Sequence, residues 1–170
     1  FGGSLKKEIF VKNGYAVYEQ GHAIENQFSD IRYFIDEAKF NEMRGFEIKP
    51  GDLIMSCSGT MGKVAIVPDN IKTGIINQAL LKLTPRENVL AVFVKLWMDS
   101  KNFQNELDNL AYGAAIRNVA SVGVLKELKI ALPNIDTQRA IVAQIETEQR
   151  LVNANKELIR LFEDKIKTTI

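Results

Sequence analysis

Apolar and polar positions follow two different rhythms along this chain of 170 residues. Up to about Pro133, short β-prone runs are punctuated by turn residues. Tyr15-Ala16-Val17-Tyr18 is the first run. Lys49-Pro50-Gly51-Asp52 reads as a turn feeding the apolar strand Leu53-Ile54-Met55-Ser56-Cys57. The tight loop Ser58-Gly59-Thr60-Met61-Gly62 joins it to Lys63-Val64-Ala65-Ile66-Val67, which Pro68-Asp69-Asn70 stops. This sequence predicts a hairpin. Between Gly74 and Leu83 one further strand is expected, over Ala79-Leu83, and a last short one over Leu128-Leu132. Two helices are expected. One is short, from Asp36 to Arg44. The other runs from Asn88 to Leu110, where Val92, Phe93, Leu96, Trp97, Phe103 and Leu107 fall at near-helical spacing.

After Pro133 the rhythm changes. Residues 136–170 hold neither glycine nor proline, and Ile145, Val152, Ile159 and Ile166 recur every seven positions. With these as a positions, the d positions read Ile141, Glu148, Asn155, Phe162 and Thr169, with Leu151 and Leu158 beside the seam. The pattern predicts one helix with a coiled-coil-like stripe. Roughly 34 residues at 1.5 Å each run about 50 Å, too far for the preceding globule to cover. The helix therefore needs a partner helix, from a second copy or another chain. A frayed surface helix is the plain alternative. The candidate association residues are Ile141, Ile145, Val152, Ile159, Phe162 and Ile166. The polar residues at d favour a specified register over maximal stability.

An apolar fraction of 46% gives the chain enough to bury, so disorder is excluded as its main state. The 22 basic and 21 acidic residues leave a net charge of +1, near balance on both sides of Pro133. No global field attracts nucleic acid, so a DNA binder of this composition needs local patches. No apolar run approaches the length of a membrane span. The start shows no signal peptide and no initiator methionine, so the chain reads as a fragment with the cytoplasm as the default compartment. A single cysteine, Cys57, excludes an internal disulfide framework, and its apolar setting predicts burial. With one histidine, His22, there are too few soft ligands for a structural zinc site without carboxylates.

Ser58-Gly59-Thr60-Met61-Gly62-Lys63 is close to a phosphate-binding loop but fails its pattern. Cys57 stands at the first glycine position, Val64 at the final hydroxyl, and a strand follows instead of a helix. Nucleotide binding is not expected. The loop is either a plain tight turn or a close approach to a DNA backbone or groove. Ser56 or Ser58 with His22 lacks a nucleophile elbow, so no catalytic pair is assigned. Ala111-Tyr112-Gly113-Ala114-Ala115-Ile116-Arg117-Asn118-Val119 places an aromatic residue, an Arg and an Asn in a loop of small residues. Arg117 and Asn118 suit bidentate contacts to guanine and adenine edges, although a loop Arg is commonly just solvated.

Taken in order, the residues resemble a known family. Lys49-Pro50-Gly51-Asp52-Leu53-Ile54, Ser58 through Pro68, Ile76-Asn77-Gln78-Ala79-Leu80, Ala111-Tyr112-Gly113, and Leu132-Pro133 with Gln138 and Ile141 carry the resemblance. It is to the specificity subunits of type I restriction–modification systems. Phe1-Gly2-Gly3-Ser4 is similar to the Gly-Gly-Thr/Ser-Pro segment of their target-recognition domains, with Leu5 in place of the proline. The resemblance implies a non-catalytic subunit that reads one half of a bipartite DNA target. It implies modification subunits that methylate adenine with S-adenosylmethionine, and restriction subunits that translocate and cut. No cofactor is expected on this chain; S-adenosylmethionine, ATP and Mg belong to the partners.

The expected class is α+β. A mixed α/β target-recognition domain of β-hairpins and short helices covers 1–133. A spacer helix, 134–170, forms an antiparallel coiled coil with a partner helix, most simply in a homodimer. The chain then looks like half a subunit. The expected DNA contacts are Ser58, Thr60 and Lys63 in one loop and Tyr112, Arg117 and Asn118 in the other. Lys6, Lys7, Tyr15, Gln20 and His22 are weaker candidates, and Asn77 and Gln78 read better as structural. Two readings of other classes fit the residues less well. A DNA-modifying enzyme fragment needs a cofactor loop and an Asn/Asp-Pro-Pro-Tyr-like motif, and neither is present. A purely structural coiled-coil module leaves the loop residues unexplained.

Overall fold

The structure, a computed structural model, describes residues 1–110, 125–126 and 128–169. Two compact units divide the chain, 1–132 and 133–170.

The first unit holds two three-stranded sheets. Strands β1 (Tyr15–Tyr18), β2 (Tyr33–Ile35) and β5 (Gly74–Ile76) form one in the order β2-β1-β5, with β1 antiparallel to β2 and parallel to β5. Strands β3 (Leu53–Ser56), β4 (Val64–Ile66) and β6 (Leu80–Leu83) form the other in the order β4-β3-β6, all antiparallel. The predicted hairpin is β3–β4, with Leu53 opposite Ile66 and Met55 opposite Val64.

Side-chain alternation sorts each strand between layers. Ala16, Tyr18, Ile54, Ala65 and Ile76 share one core cluster, to which helix α1 (Gln20–Glu25) adds Ala23. On the opposite face of the second sheet, Leu53, Met55 and Val64 pack with Met98, Phe103 and Leu107 of helices α3 (Ala91–Asp99) and α4 (Lys101–Leu110). On the opposite face of the first, Val17, Ile35 and Ile75 pack with Phe40 of helix α2 (Glu37–Glu42) and Met43. Every residue of β3 is buried, because both faces of its sheet are covered.

Three expectations are corrected. The helix predicted over Asn88–Leu110 is two helices. Ser100, extended at φ −66° and ψ 148°, ends α3 through its N–H on Trp97, and its Oγ accepts from the N–H of Phe103. The apolar spacing continues across the break because Trp97 and Phe103 still meet, their ring centroids 4.7 Å apart. The single strand expected over Ala79-Leu83 is preceded by a second, β5, and the chain passes from one sheet to the other between them. Asn77 makes that turn, its side-chain oxygen accepting from Ala79 N–H at 3.0 Å, which is the structural role expected of it. Leu128-Leu132 is not a strand. Leu128 instead packs by its side chain against the cluster around Leu53 and Met55, gaining burial without a ladder. Helix α1 and strand β2 were not foreseen at all.

The second unit is helix α5 (Ile135–Thr169). Asn134 caps it, its Oδ1 accepting from Thr137 N–H at 2.9 Å, and Gln138 donates to the Pro133 carbonyl at 2.8 Å. Its early apolar residues Ile141, Val142 and Ile145 are half-buried. From Leu151 onward the stripe is bare: Leu151 is 63% and Phe162 64% exposed. Among the described residues, no helix is long and apolar enough to cross a membrane.

Candidate nucleic-acid interface

The β3–β4 loop is held at its base and open at its tip. Ser56, wholly buried, exchanges backbone bonds with Lys63 and Gly62, and its Oγ accepts from the Lys63 N–H at 3.1 Å. Gly62 sits at φ +75°, where a Cβ would meet the Leu107 Cδ2 at 2.7 Å, so only glycine lets the loop settle against α4. Gln104 of α4 donates to the Gly62 carbonyl at 3.0 Å and to the Met98 carbonyl at 2.6 Å, tying loop to helix pair. Above this base Thr60 and Lys63 are exposed and Ser58 half-buried. The loop thus offers hydroxyls and a cation from a fixed backbone, followed by strand β4 and no helix N-terminus.

The turn before the hairpin is equally determined. Gly51 takes φ +83°, and the Asp52 N–H bonds the Lys49 carbonyl, as a Pro-Gly type II turn requires. The buried Asp52 carboxylate accepts from the Lys49 N–H at 2.9 Å and from the Thr84 hydroxyl at 2.6 Å. At the start of the chain, Gly2 N–H bonds the Leu80 carbonyl, and a Cβ on Gly2 would fall 2.1 Å from the Asn77 carbonyl oxygen. The glycine pair is a close backbone crossing.

The remaining expected contacts fall in different settings. Lys6 and Lys7 are exposed beside a short 3-10 turn. Tyr15 is half-buried, stacked on Phe40 with centroids 4.0 Å apart. His22 is buried and spent on structure. Its Nδ1 accepts from the Glu19 N–H at 2.9 Å, completing a reciprocal cap of α1, and its Nε2 faces the Asp30 carbonyl at 3.0 Å. The tautomer with the proton on Nε2 satisfies both, which leaves no nitrogen for a base. Gln20 lines a polar cleft of about 270 Å³ with Glu19, Glu25, Asp30 and Arg32. The Gln20 Oε1 is buried with no hydrogen-bond partner among the described residues. Tyr112, Arg117 and Asn118 lie outside the described residues.

Two contributors escaped the sequence reading. Gln104 positions the loop from 42 residues away, and nothing local marks it. Arg32 lies 5.0 Å over the ring of Tyr33, which stacks on Phe10 at 4.4 Å. The adjacent Arg-Tyr pair was its only signal. Burial pushes two other groups up to about 12: the Tyr18 phenol from 10.0, while it donates to the Lys72 carbonyl, and the Cys57 thiol from 9.0. Neither is poised as a nucleophile at neutral pH. Among the described residues no group of three His, Cys, Asp or Glu side chains could hold a metal ion.

The fold is shared with solved structures. A chain from a type I restriction–modification system complex superposes with a TM-score of 0.73 at 19% identity, covering 98% of this chain and 39% of that one. The HsdS subunit of Thermoanaerobacter tengcongensis gives 0.66 at 18%, covering 90% and 35%. The type I restriction–modification S subunit from M. genitalium gives 0.55 at 22%, covering 89% and 36%. This chain therefore spans well under half the length of each. No curated protein sequence matches it. The type I restriction modification DNA specificity domain matches residues 2–161, from the glycine crossing into the last turns of α5. With nearly its whole length so matched, the chain belongs to the type I restriction modification DNA specificity domain family.

Proposed function

We propose that the chain reads one half of a bipartite DNA target and delivers it to methyltransferase and restriction subunits that carry the chemistry. The match of residues 2–161 to a DNA specificity domain carries this reading. The anchored loop with exposed Thr60 and Lys63 suits it, because a fixed backbone presents contact groups without an ordering cost at binding. In this reading the chain is not an enzyme, and S-adenosylmethionine, ATP and Mg²⁺ belong to the partners. A net charge of +1 provides little phosphate attraction, so affinity depends on those partners embracing the duplex. Lys63 contacts phosphate, Arg117 and Asn118 read base edges, and α5 joins a second copy.

The test is a salt titration of the complex with its methyltransferase subunit on target and scrambled duplexes. Lys63→Ala lowers affinity on both and reduces the salt slope by about one unit. Arg117→Ala removes about 1–3 kcal/mol of discrimination. Equal binding of both duplexes by the unaltered complex overturns sequence recognition itself. Equal loss on both for Arg117→Ala removes only that residue from the reading set.

A further inference from the structure

One edge of the first unit gathers strand ends from both sheets. β1 is parallel to β5 and antiparallel to β2, so its end at Tyr18 meets the end of β5 at Ile76 and the start of β2 at Tyr33. β3 is antiparallel to β4 and β6, so its end at Ser56 meets their starts at Val64 and Leu80. The turn from Asn77 to Leu80 joins the two groups. Asn77 N–H bonds the Tyr18 carbonyl at 3.0 Å, and Cys57 N–H bonds the Ala79 carbonyl at 2.9 Å. Along this edge the contact loop with Lys63 is followed by exposed Gln78, by Gln20 at the start of α1, and by Arg32 just before β2.

Gln20 and Arg32 share the polar cleft, and each has bonding capacity to spare. The Gln20 Oε1 is buried with no partner among the described residues. An acceptor closed off from water is costly until a donor reaches it. The carboxylates of Glu19, Glu25 and Asp30 in the same cleft supply acceptors only. In the major groove of DNA the donors are the amino groups of adenine and cytosine. The carboxylates repel phosphate from the cleft itself, which leaves the DNA backbone to Arg32. Its guanidinium is exposed, held 5.0 Å over the Tyr33 ring, and forms no ion pair among the described residues. A planar cation so held suits phosphate oxygens.

We infer that the DNA-reading surface continues from the β3–β4 loop along this edge to the cleft, where Gln20 accepts from the amino group of an adenine or cytosine and Arg32 holds a phosphate. This second contact site rests on the proposed function, since it needs a complex that reads DNA.

The test uses the complex with its methyltransferase subunit and a pool of randomised duplexes. Gln20→Leu removes an unpaired acceptor, so the variant unfolds no earlier on heating than the unaltered chain. It nevertheless lowers the preference for adenine or cytosine at one selected position about tenfold and spares the other positions. Arg32→Ala reduces the slope of log affinity against log salt by about one unit. Lys72→Ala is the control. Its ammonium also lies over a ring, 4.5 Å from the centroid of Phe34, but Lys72 precedes β5 at the opposite edge, and its loss leaves the slope as it was. Selection of the same sequences by Gln20→Leu overturns the inference, as does its earlier unfolding, which makes Gln20 structural. A salt slope unchanged by Arg32→Ala, or changed equally by Lys72→Ala, overturns it too. These outcomes leave the proposed function standing; an unaltered complex that selects no sequence from the pool overturns both.

Discussion

At the residue scale, the motifs that carry the family resemblance turn out to hold the backbone. Asp52 locks its turn to Lys49 and Thr84, Asn77 steers the chain between sheets, and Gly2 clears a carbonyl oxygen. Asp52→Ala strands two donors and is expected to cost about 1–3 kcal/mol, read as a lower urea midpoint at constant slope. Thr84→Val removes one bond and costs less. The raised pKa values of Cys57 and Tyr18 fix an alkaline limit. Each group holds its proton longer in the folded state, so its contribution is complete below its unfolded pKa and is lost as pH rises toward the folded one. Stability therefore falls from about pH 9 upward through Cys57, and between 10 and about 12 through Tyr18 as well. Cys57→Ala should delay the onset by about one pH unit and Tyr18→Phe should flatten the later part; unfolding followed against pH checks both. His22 shows why a lone side chain is hard to assign. Its type suits contact or catalysis, but the structure spends both ring nitrogens on backbone groups.

At the element scale, local signals were legible where they were complete within a few residues. Asp36 before an amphipathic stretch marks the start of α2, and its carboxylate accepts from Lys39 N–H at 2.8 Å. Asp36→Ala should cost about 1 kcal/mol and Asp36→Asn little, measured by thermal unfolding. The Ser100 break was missed because apolar spacing alone does not register a one-residue interruption across which the packing continues. Strand β5 was missed because Gly74-Ile75-Ile76 is too short to show alternation, and only pairing with β1 makes it a strand. The apparent strand at Leu128 failed for the converse reason, apolar residues without a ladder. Strand β3 is covered on both faces, so Ile54→Ala should cost about 2–5 kcal/mol, more than the same change at half-buried Ile66 on the edge strand β4. Chemical denaturation of the two variants compares them directly.

At the scale of the whole molecule, the expected outcome concerns assembly. Ile159→Asp places a charge in the bare stripe of α5 and should shift the sedimentation mass to that of a monomer, while Val152→Ile should leave it unchanged. By itself the sequence determined the change of rhythm at Pro133, the hairpin, the short helix from Asp36 and the seven-residue stripe. Each of these rests on periodicity or turn chemistry between near neighbours in the chain. The tight loop between β3 and β4 was legible in the same way, as glycines and hydroxyls between two apolar runs. Only the tertiary structure decided which strands share a sheet, that β5 runs parallel to β1, and that Gln104 fastens the loop from another helix. It also decided that Arg32 stacks on an aromatic pair while His22 is withdrawn into a cap. The sheet pairings and the Gln104 bond depend on residues tens of positions apart meeting in space, and the free energy that selects them comes from burial and pairing that no local pattern encodes.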